Sequence, residues 1–232
     1  MYGYGFRAIN QKIFSSGGGA INPLWSGLLA YYRADNSVTD ETGNGHDLTL
    51  VNGATYDTGI IGQGFSLDGV NDYISLPDDS FRPTGNFSIS MWINLSNSNN
   101  KYLFMSGSLS PINCILIYTN ASRMRFYIGS SGLSFKFDTT VNITLNTYEH
   151  YVFTFNNASK LASIYINGIL NIQTTSTHAP SFPSPSVVNI GASTTPNNYT
   201  IGNLDEIGLW DGKELTASEI TELYNSGLGL QY

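Results

Sequence analysis

The stretch from Asp40 to Pro77, DETGNGHDLTLVNGATYDTGIIGQGFSLDGVNDYISLP, restricts the fold more than any other part of the chain. Short apolar or alternating runs (Leu48–Val51, Gly64–Leu67 and Tyr73–Leu76) are divided by Gly, Asn and Asp clusters, and helices do not tolerate that spacing. The stretch therefore reads as consecutive short strands. Asp40, Asn44, Asp47, Asp68 and Asp72 fall in or beside the turns. Acidic loops of this kind can hold a hard cation through carboxylate and carbonyl oxygens, and Asp and Asn are equally the ordinary residues of turns. Both readings stay open at this level.

Strands continue on either side. GLLAYYRAD reads as a first strand ending at Asp35. In FSISMWINL, Phe87, Ile89, Met91 and Ile93 alternate with Ser88, Ser90, Trp92 and Asn94, giving one strongly apolar face that belongs in a core. RMRFYIG and LSFKFD repeat the pattern, and HYVFTFNN places Tyr151, Phe153 and Phe155 on one side. ASIYINGILNIQT contains two apolar runs joined by Asn167-Gly168, the dipeptide that fills a two-residue hairpin turn at little steric cost. One helix is expected, at the end, where Thr216 and Glu219 form a capping-box pattern ahead of Ile220, Leu223 and Tyr224, with Gly227 as a stop. Charged residues are only 12% of the chain while 15 Tyr and 12 Phe are present, a balance that suits many strands better than solvated helices. At 232 residues an all-β sandwich is commonly one domain.

The net charge of -7 argues against a nucleic-acid partner, which needs clustered Lys and Arg. No run of eighteen or so apolar residues is present, so membrane insertion is not expected. The single cysteine, Cys114, lies in the apolar run CILIY and reads as a buried small hydrophobe, and no intrachain disulfide is possible. Residues 1–26 differ from the rest. Tyr2, Tyr4, Phe6 and Phe14 are set among glycines and two cations, Arg7 and Lys12, and are followed by the Gly17–Gly19 run. This is the composition of an aromatic arm on a flexible linker, without the uninterrupted apolar core of a Sec signal. The expected organisation is an arm over 1–26 and one domain over 27–232.

Several pieces, in order, resemble the laminin G-like branch of the concanavalin A-like lectin/glucanase superfamily. LLAYYRAD is similar to its opening strand, Asp40 to Gly45 to its Asp-x-x-Gly-Asn-Gly loop, and Phe65 to Tyr73 to its Phe-x-x-Asp-Gly-x-x-Asp-Tyr element. FSISMWINL resembles its Trp-bearing strand, and YEHYVFTFN a segment that usually carries Trp where this chain has Tyr148. YINGIL resembles its Asn-Gly hairpin, and NLDEIGLWDGKELTASEITELYNSG its closing strand and terminal helix. The resemblance implies an all-β, two-sheet antiparallel jelly-roll sandwich with a short C-terminal helix and with first and last strands side by side.

That superfamily includes both binding modules and glycosidases, so function must come from the site. Its glucanases carry their paired carboxylates on one strand at Glu-x-Asp-x-Glu or similar spacing, and no such triplet occurs here. Asp205 and Glu206 are adjacent, which on a regular strand sends their side chains to opposite faces. His46, His150 and His178 are scattered and read as structural. The expectation is a non-enzyme that binds a glycan, with Tyr118, Tyr127, Tyr199 and Trp210 as candidate aromatics. With the first strand antiparallel to the last, Asp35 and the Asp40–Gly45 loop approach Asp205, and the resemblance implies a structural calcium near these loops. Asp40, Asp205, Asn44 and Asp35 are its candidate ligands. The arm is expected to attach the domain to a larger protein assembly. A bacteriophage capsid or tail would reconcile an extracellular-type fold with the missing signal; a free lectin-like adhesion module exported by a non-Sec route is the alternative.

Overall fold

The computed structural model describes residues 22–76, 80–110, 112–182, 188–193 and 197–232. Residues 1–21, which carry Tyr2, Tyr4, Phe6, Phe14 and the glycine run of the expected arm, lie outside the described residues. Among the described residues the strands are β1 (Leu28–Tyr32), β2 (Thr49–Val51), β3 (Thr55–Thr58), β4 (Gln63–Asp68), β5 (Tyr73–Leu76), β6 (Phe87–Leu95), β7 (Tyr102–Leu109) and β8 (Ile112–Asn120). They continue as β9 (Arg123–Ser130), β10 (Leu133–Asp138), β11 (Glu149–Phe155), β12 (Leu161–Ile166), β13 (Ile169–Thr175), β14 (Val188–Ile190) and β15 (Ile201–Asp211), and one helix follows, α1 (Ala217–Tyr224).

The strands form two antiparallel sheets. One runs β13-β12-β11-β6-β15-β4-β3, with β1 also paired to β15; the other runs β10-β9-β8-β7-β14-β5-β2. On one side β15 is long enough to take two neighbours end to end, β4 over residues 201–204 and β1 over residues 207–210. First and last strands are therefore partners, as the resemblance implied.

The alternation read in the sequence supplies the core. Phe87, Ile89, Met91, Ile93, Tyr151, Phe153 and Phe155 from one sheet meet Phe104, Ile115, Ile117, Phe126 and Ile128 from the other in a single buried cluster. Phe126 contacts Phe87 edge-on at 6.1 Å and Phe153 at 5.5 Å, the offset geometry that aromatic quadrupoles favour. The hairpin turn has both Asn167 (φ 51°) and Gly168 (φ 80°) in the left-handed region, as a two-residue turn of that type requires.

The middle of the eight-stranded sheet's outer face is covered as well. Trp210, Val152, Leu215, Ile220 and Leu223 form a second cluster with Leu24 under α1, and Trp92 stacks on Tyr224 of the helix at 5.7 Å. Leu24 is fully buried and its carbonyl accepts from Trp210 Nε1 at 2.9 Å, so residues 22–26, expected in the arm, belong to the folded domain. The capping box of Thr216 and Glu219 forms as read. The helix stop is not Gly227: Asn225, left-handed at φ 48°, caps the helix, and Gly227 ends the 3-10 turn behind it. Likewise β1 ends at Tyr32 instead of Asp35, because Ala34 (φ 59°) and Asn36 (φ 52°) turn the chain away. Among the described residues no helix is long and apolar enough to cross a membrane.

Candidate functional site

The outer face of the seven-stranded sheet combines a small buried cluster with half-buried aromatic and charged side chains. Alternation decides its residues. Met124, Phe126 and Ile128 of β9 and Phe135 and Phe137 of β10 point to the core. Arg123, Arg125 and Tyr127, with Lys136 and Asp138, therefore face outward. Cross-strand register then builds two outward rows: Tyr102, Tyr118, Arg125 and Asp138, and beside it Met105, Leu116, Tyr127 and Lys136.

The first row is tightly organised. The rings of Tyr102 and Tyr118 stack at 5.4 Å and 16°. Arg125 lies 5.5 Å from the Tyr118 ring centroid, and its Nη1 donates to the Tyr118 hydroxyl at 3.0 Å. The guanidinium donates to Asp138 through Nη2 at 2.8 Å and also through Nε, a two-point grip that fixes its plane. That hydrogen bonding holds the Asp138 carboxyl below its ordinary range, with Arg123 adding in the same direction. In the second row Tyr127 is largely buried and Ser134 hydrogen-bonds its hydroxyl. Met105, Cys114 and Leu116 are buried with it, and Tyr102 and Tyr118 pack against this cluster. Burial pushes the Cys114 thiol up to about 12, so it stays a small hydrophobe and not a nucleophile. The arrangement presents half-buried tyrosine rings on a rigid support with charged groups beside them, the surface chemistry on which a sugar's apolar face and hydroxyls can both be satisfied.

Of the four aromatics expected at a ligand site, the structure brings Tyr118 and Tyr127 together on this face. Tyr199 is half-buried in the segment 197–200, whose Asn198 carbonyl accepts from Tyr102 N at 3.0 Å, so it borders the first row. Trp210 is corrected. It is fully buried on the opposite sheet, stacked on Trp25 at 6.4 Å, over Gly208, where any Cβ would lie 2.5 Å from its ring. Tyr102, Arg125 and Asp138 were missed. Arg125 was readable once Met124 and Phe126 were given to the core; pairing with Tyr102 and Asp138 depends on register.

The four expected calcium ligands do not assemble. Asp40 and Asn44 line the edge of β1 opposite β15: Asp40 Oδ1 accepts from Tyr31 N at 3.1 Å and Thr42 N at 3.0 Å, and Oδ2 from His46 N at 3.3 Å. Thr42 Oγ1 adds donation at 2.7 Å, and Asn44 donates to the Leu29 carbonyl at 2.8 Å. Asp35 and Asp205 instead grip the turn before β4. Asp205 Oδ2 accepts from Ile60 N at 2.9 Å and Ile61 N at 3.2 Å, Oδ1 from Glu206 N at 2.8 Å, and Asp35 accepts from Gln63 N at 2.9 Å. These oxygens are taken by N–H and O–H donors where a calcium would need them, so the residues do not fit that ion. Among the described residues no group of three or more His, Cys, Asp or Glu stands in metal-holding geometry. The turn reading of Asp47, Asp68 and Asp72 has the same support: they accept from Asp40 N, Val70 N and Gly53 N at 2.7–2.8 Å.

Asp205 and Glu206 do not face opposite ways. A bulge between Asp205 and Gly208, with Glu206 at φ 47°, turns both carboxyls to the same outer side. Both are buried, Asp205 against the Ile60–Ile61 turn and Glu206 against Tyr31 and Gln231. Glu206 meets the Tyr31 hydroxyl and accepts from Gln231 Nε2 at 2.7 Å. Burial, the neighbouring Asp205 and Asp35 raise Glu206 well above its ordinary range; burial pushes Asp205 up to about 7 against its three N–H donors. His150 is packed into the fold. Burial pushes His150 down to about 3, its Nε2 pairs with Ser90 Oγ at 2.8 Å, and its ring stacks on Trp92 at 5.0 Å.

A family model described as the concanavalin A-like lectin/glucanases superfamily matches residues 68–221. The chain belongs to this superfamily. No match was found among curated protein sequences. Solved structures with the same fold include domain 4 of AbnA, a GH43 extracellular arabinanase from Geobacillus stearothermophilus, in complex with arabinotriose, at TM-score 0.71 and 23% identity, covering 84% of this chain and 97% of that one. The binding domain of Paraclostridial Mosquitocidal Protein 1 matches at TM-score 0.72 and 19% identity over 88% of this chain and 53% of that one. The botulinum neurotoxin serotype D binding domain matches at 0.66 and 17%, over 86% and 51%. This superfamily member thus spans nearly all of the arabinanase domain and about half of each toxin binding domain.

Proposed function

We propose that this chain is a non-catalytic glycan-binding module that holds a saccharide on the outer face of its seven-stranded sheet, with the stacked Tyr102–Tyr118 pair, offered by its outer ring edges, as the central platform. The observation that carries the reading is the Tyr102–Tyr118–Arg125–Asp138 row, in which two stacked tyrosine rings are held in place by Arg125, itself fixed by a two-point charge grip. The neighbours support it: one is described in complex with arabinotriose, and the toxin domains are described as binding domains. Cleavage is disfavoured by the fate of Asp205 and Glu206, a carboxyl pair that the β15 bulge turns to one side among the described residues. Both are buried, Asp205 engaged by Ile60 and Ile61 and Glu206 by Tyr31 and Gln231. Replacing Tyr118 by Ala removes the platform, with an expected loss of about three- to ten-fold in saccharide affinity, the scale of one aromatic contact. A glycan array followed by calorimetry on the best hit reads this out. Unchanged affinity in Tyr118→Ala refutes the assignment of the face.

The setting we propose is attachment to a larger assembly through the chain before Asn22, with a bacteriophage virion as the candidate. This rests on the aromatic, glycine-spaced composition of that segment. Deleting residues 1–21 should leave the domain folded and abolish co-purification with particles. Normal incorporation of the truncated chain overturns attachment without touching the saccharide site.

A further inference from the structure

The distribution of positive charge narrows the ligand class. Ten Lys and Arg are set against seventeen Asp and Glu, and two of the ten, Arg7 and Lys12, precede the described residues. Four of the other eight are engaged in the fold. Arg33 donates to the Tyr232 carbonyl, Arg82 to the Phe182 carbonyl, Lys160 to Asn157, and Lys213 to Glu219 and Pro23. The remaining four, Lys101, Arg123, Arg125 and Lys136, all lie on or next to β7, β9 and β10, the strands of the Tyr118 face.

Arg123 and Lys136 are exposed, and neither side chain makes a hydrogen bond or ion pair among the described residues, the Arg123 charge reaching Asp138 only at longer range. Both lie on the outward side by alternation with Met124, Phe135 and Phe137. Asp138 is the one acid of β7–β10, and Arg125 already holds it. The four cations against one carboxylate leave this half of the sheet positive on a chain of net charge -7. Lys136 is the register partner of Tyr127, and Arg125 lies diagonally across, roughly 7–8 Å away by sheet geometry. A saccharide lying across the outer edges of the Tyr102–Tyr118 stack would carry its ring substituents into the space between them. Cations without an ion-pair partner beside an aromatic platform give differential attraction to a carboxylate or sulfate over a neutral hydroxymethyl group.

We propose that the Tyr118 face selects anionic glycans, those bearing uronate, sialate or sulfate groups, with Lys136 and Arg123 reading the charge. This rests on the glycan-binding reading of the same face. The full chain would be tested on matched saccharide pairs differing only in charge: oligogalacturonate and its methyl ester, 3′-sialyllactose and lactose, sulfated and unsulfated cello-oligosaccharide. In any pair that binds, the acidic member should bind at least about two- to five-fold tighter at low salt, the scale of one exposed charge contact. The difference should shrink as salt shortens the Debye length, and Lys136→Ala with Arg123→Ala should abolish it. Equal affinity within pairs, with Tyr118→Ala still weakening both members, overturns the charge selection and leaves the glycan site standing. No binding to any pair, or binding untouched by Tyr118→Ala, overturns the reading of the face itself.

Discussion

Replacing Glu206 by Gln should flatten the fall of stability with pH, and the reasoning starts from a single proton. The Tyr31 hydroxyl lies against both the Glu206 carboxyl and, at 2.8 Å, the Leu230 carbonyl, yet it has one hydrogen to give. Both contacts are satisfied if Glu206 is protonated and donates to Tyr31, which donates onward to Leu230. Gln231 Nε2 then donates to the other Glu206 oxygen, tying the last residues over the sheet. Folding thus raises the Glu206 pKa, by burial first and by the Asp205 charge second. A carboxyl whose folded pKa is raised contributes stability that is fully present below its unfolded pKa and is lost as pH rises towards the folded value. The slope is about 1.4 kcal/mol per pH unit for each proton retained. For a domain of this size that is roughly 3–6 °C in Tm per pH unit. Asp205 contributes with the same sign up to about pH 7. His150, held down to about 3 by burial, contributes with the opposite sign between there and its ordinary value. The wild-type curve alone therefore mixes signs, and the difference between wild type and Glu206→Gln isolates the Glu206 proton. The amide keeps the shape, donating to Tyr31 and accepting from Gln231. Urea unfolding at half-unit steps from pH 5 to 8 should show wild type losing ground to the variant as pH rises. A constant difference across that range refutes the protonated latch.

Asp40→Ala strips the partner from three backbone N–H groups, of Tyr31, Thr42 and His46, and should cost about 2–4 kcal/mol. Chelator should leave the melting temperature of the wild-type chain unchanged, and a drop that calcium alone restores would show that a cation organises this loop after all. Thr216→Ala removes the helix cap and should cost about 1 kcal/mol by chemical denaturation; no loss would mean that packing of Ile220 and Leu223 alone fixes the helix start.

What the sequence made legible is what local chemistry decides. FSISMWINL shows its core face because Phe87, Ile89, Met91 and Ile93 stand at period two, and the Asn167-Gly168 turn and the Thr216–Glu219 box each need only neighbouring residues. Tyr118 and Tyr127 were found, but Tyr102, Arg125 and Asp138 were not, because a binding row across a sheet is composed of residues whose proximity depends on register. Trp210 looked like a surface aromatic because the sequence does not tell that α1 and Leu24 cover the back of its sheet. Asp40 and Asp205 looked like cation ligands for a related reason: a buried carboxylate can be neutralised by a metal or engaged by several N–H donors, and the donors here are backbone groups that every residue carries. The bulge at Glu206 is the strongest case. A non-glycine residue at φ 47° carries no sequence mark, yet it moves one carboxyl from the expected core side to the outer side, beside Asp205. The same displacement lets the closing strand hold the 60–61 turn with one acid and the C-terminal residues with the other, so an irregularity of one residue joins three segments distant in sequence.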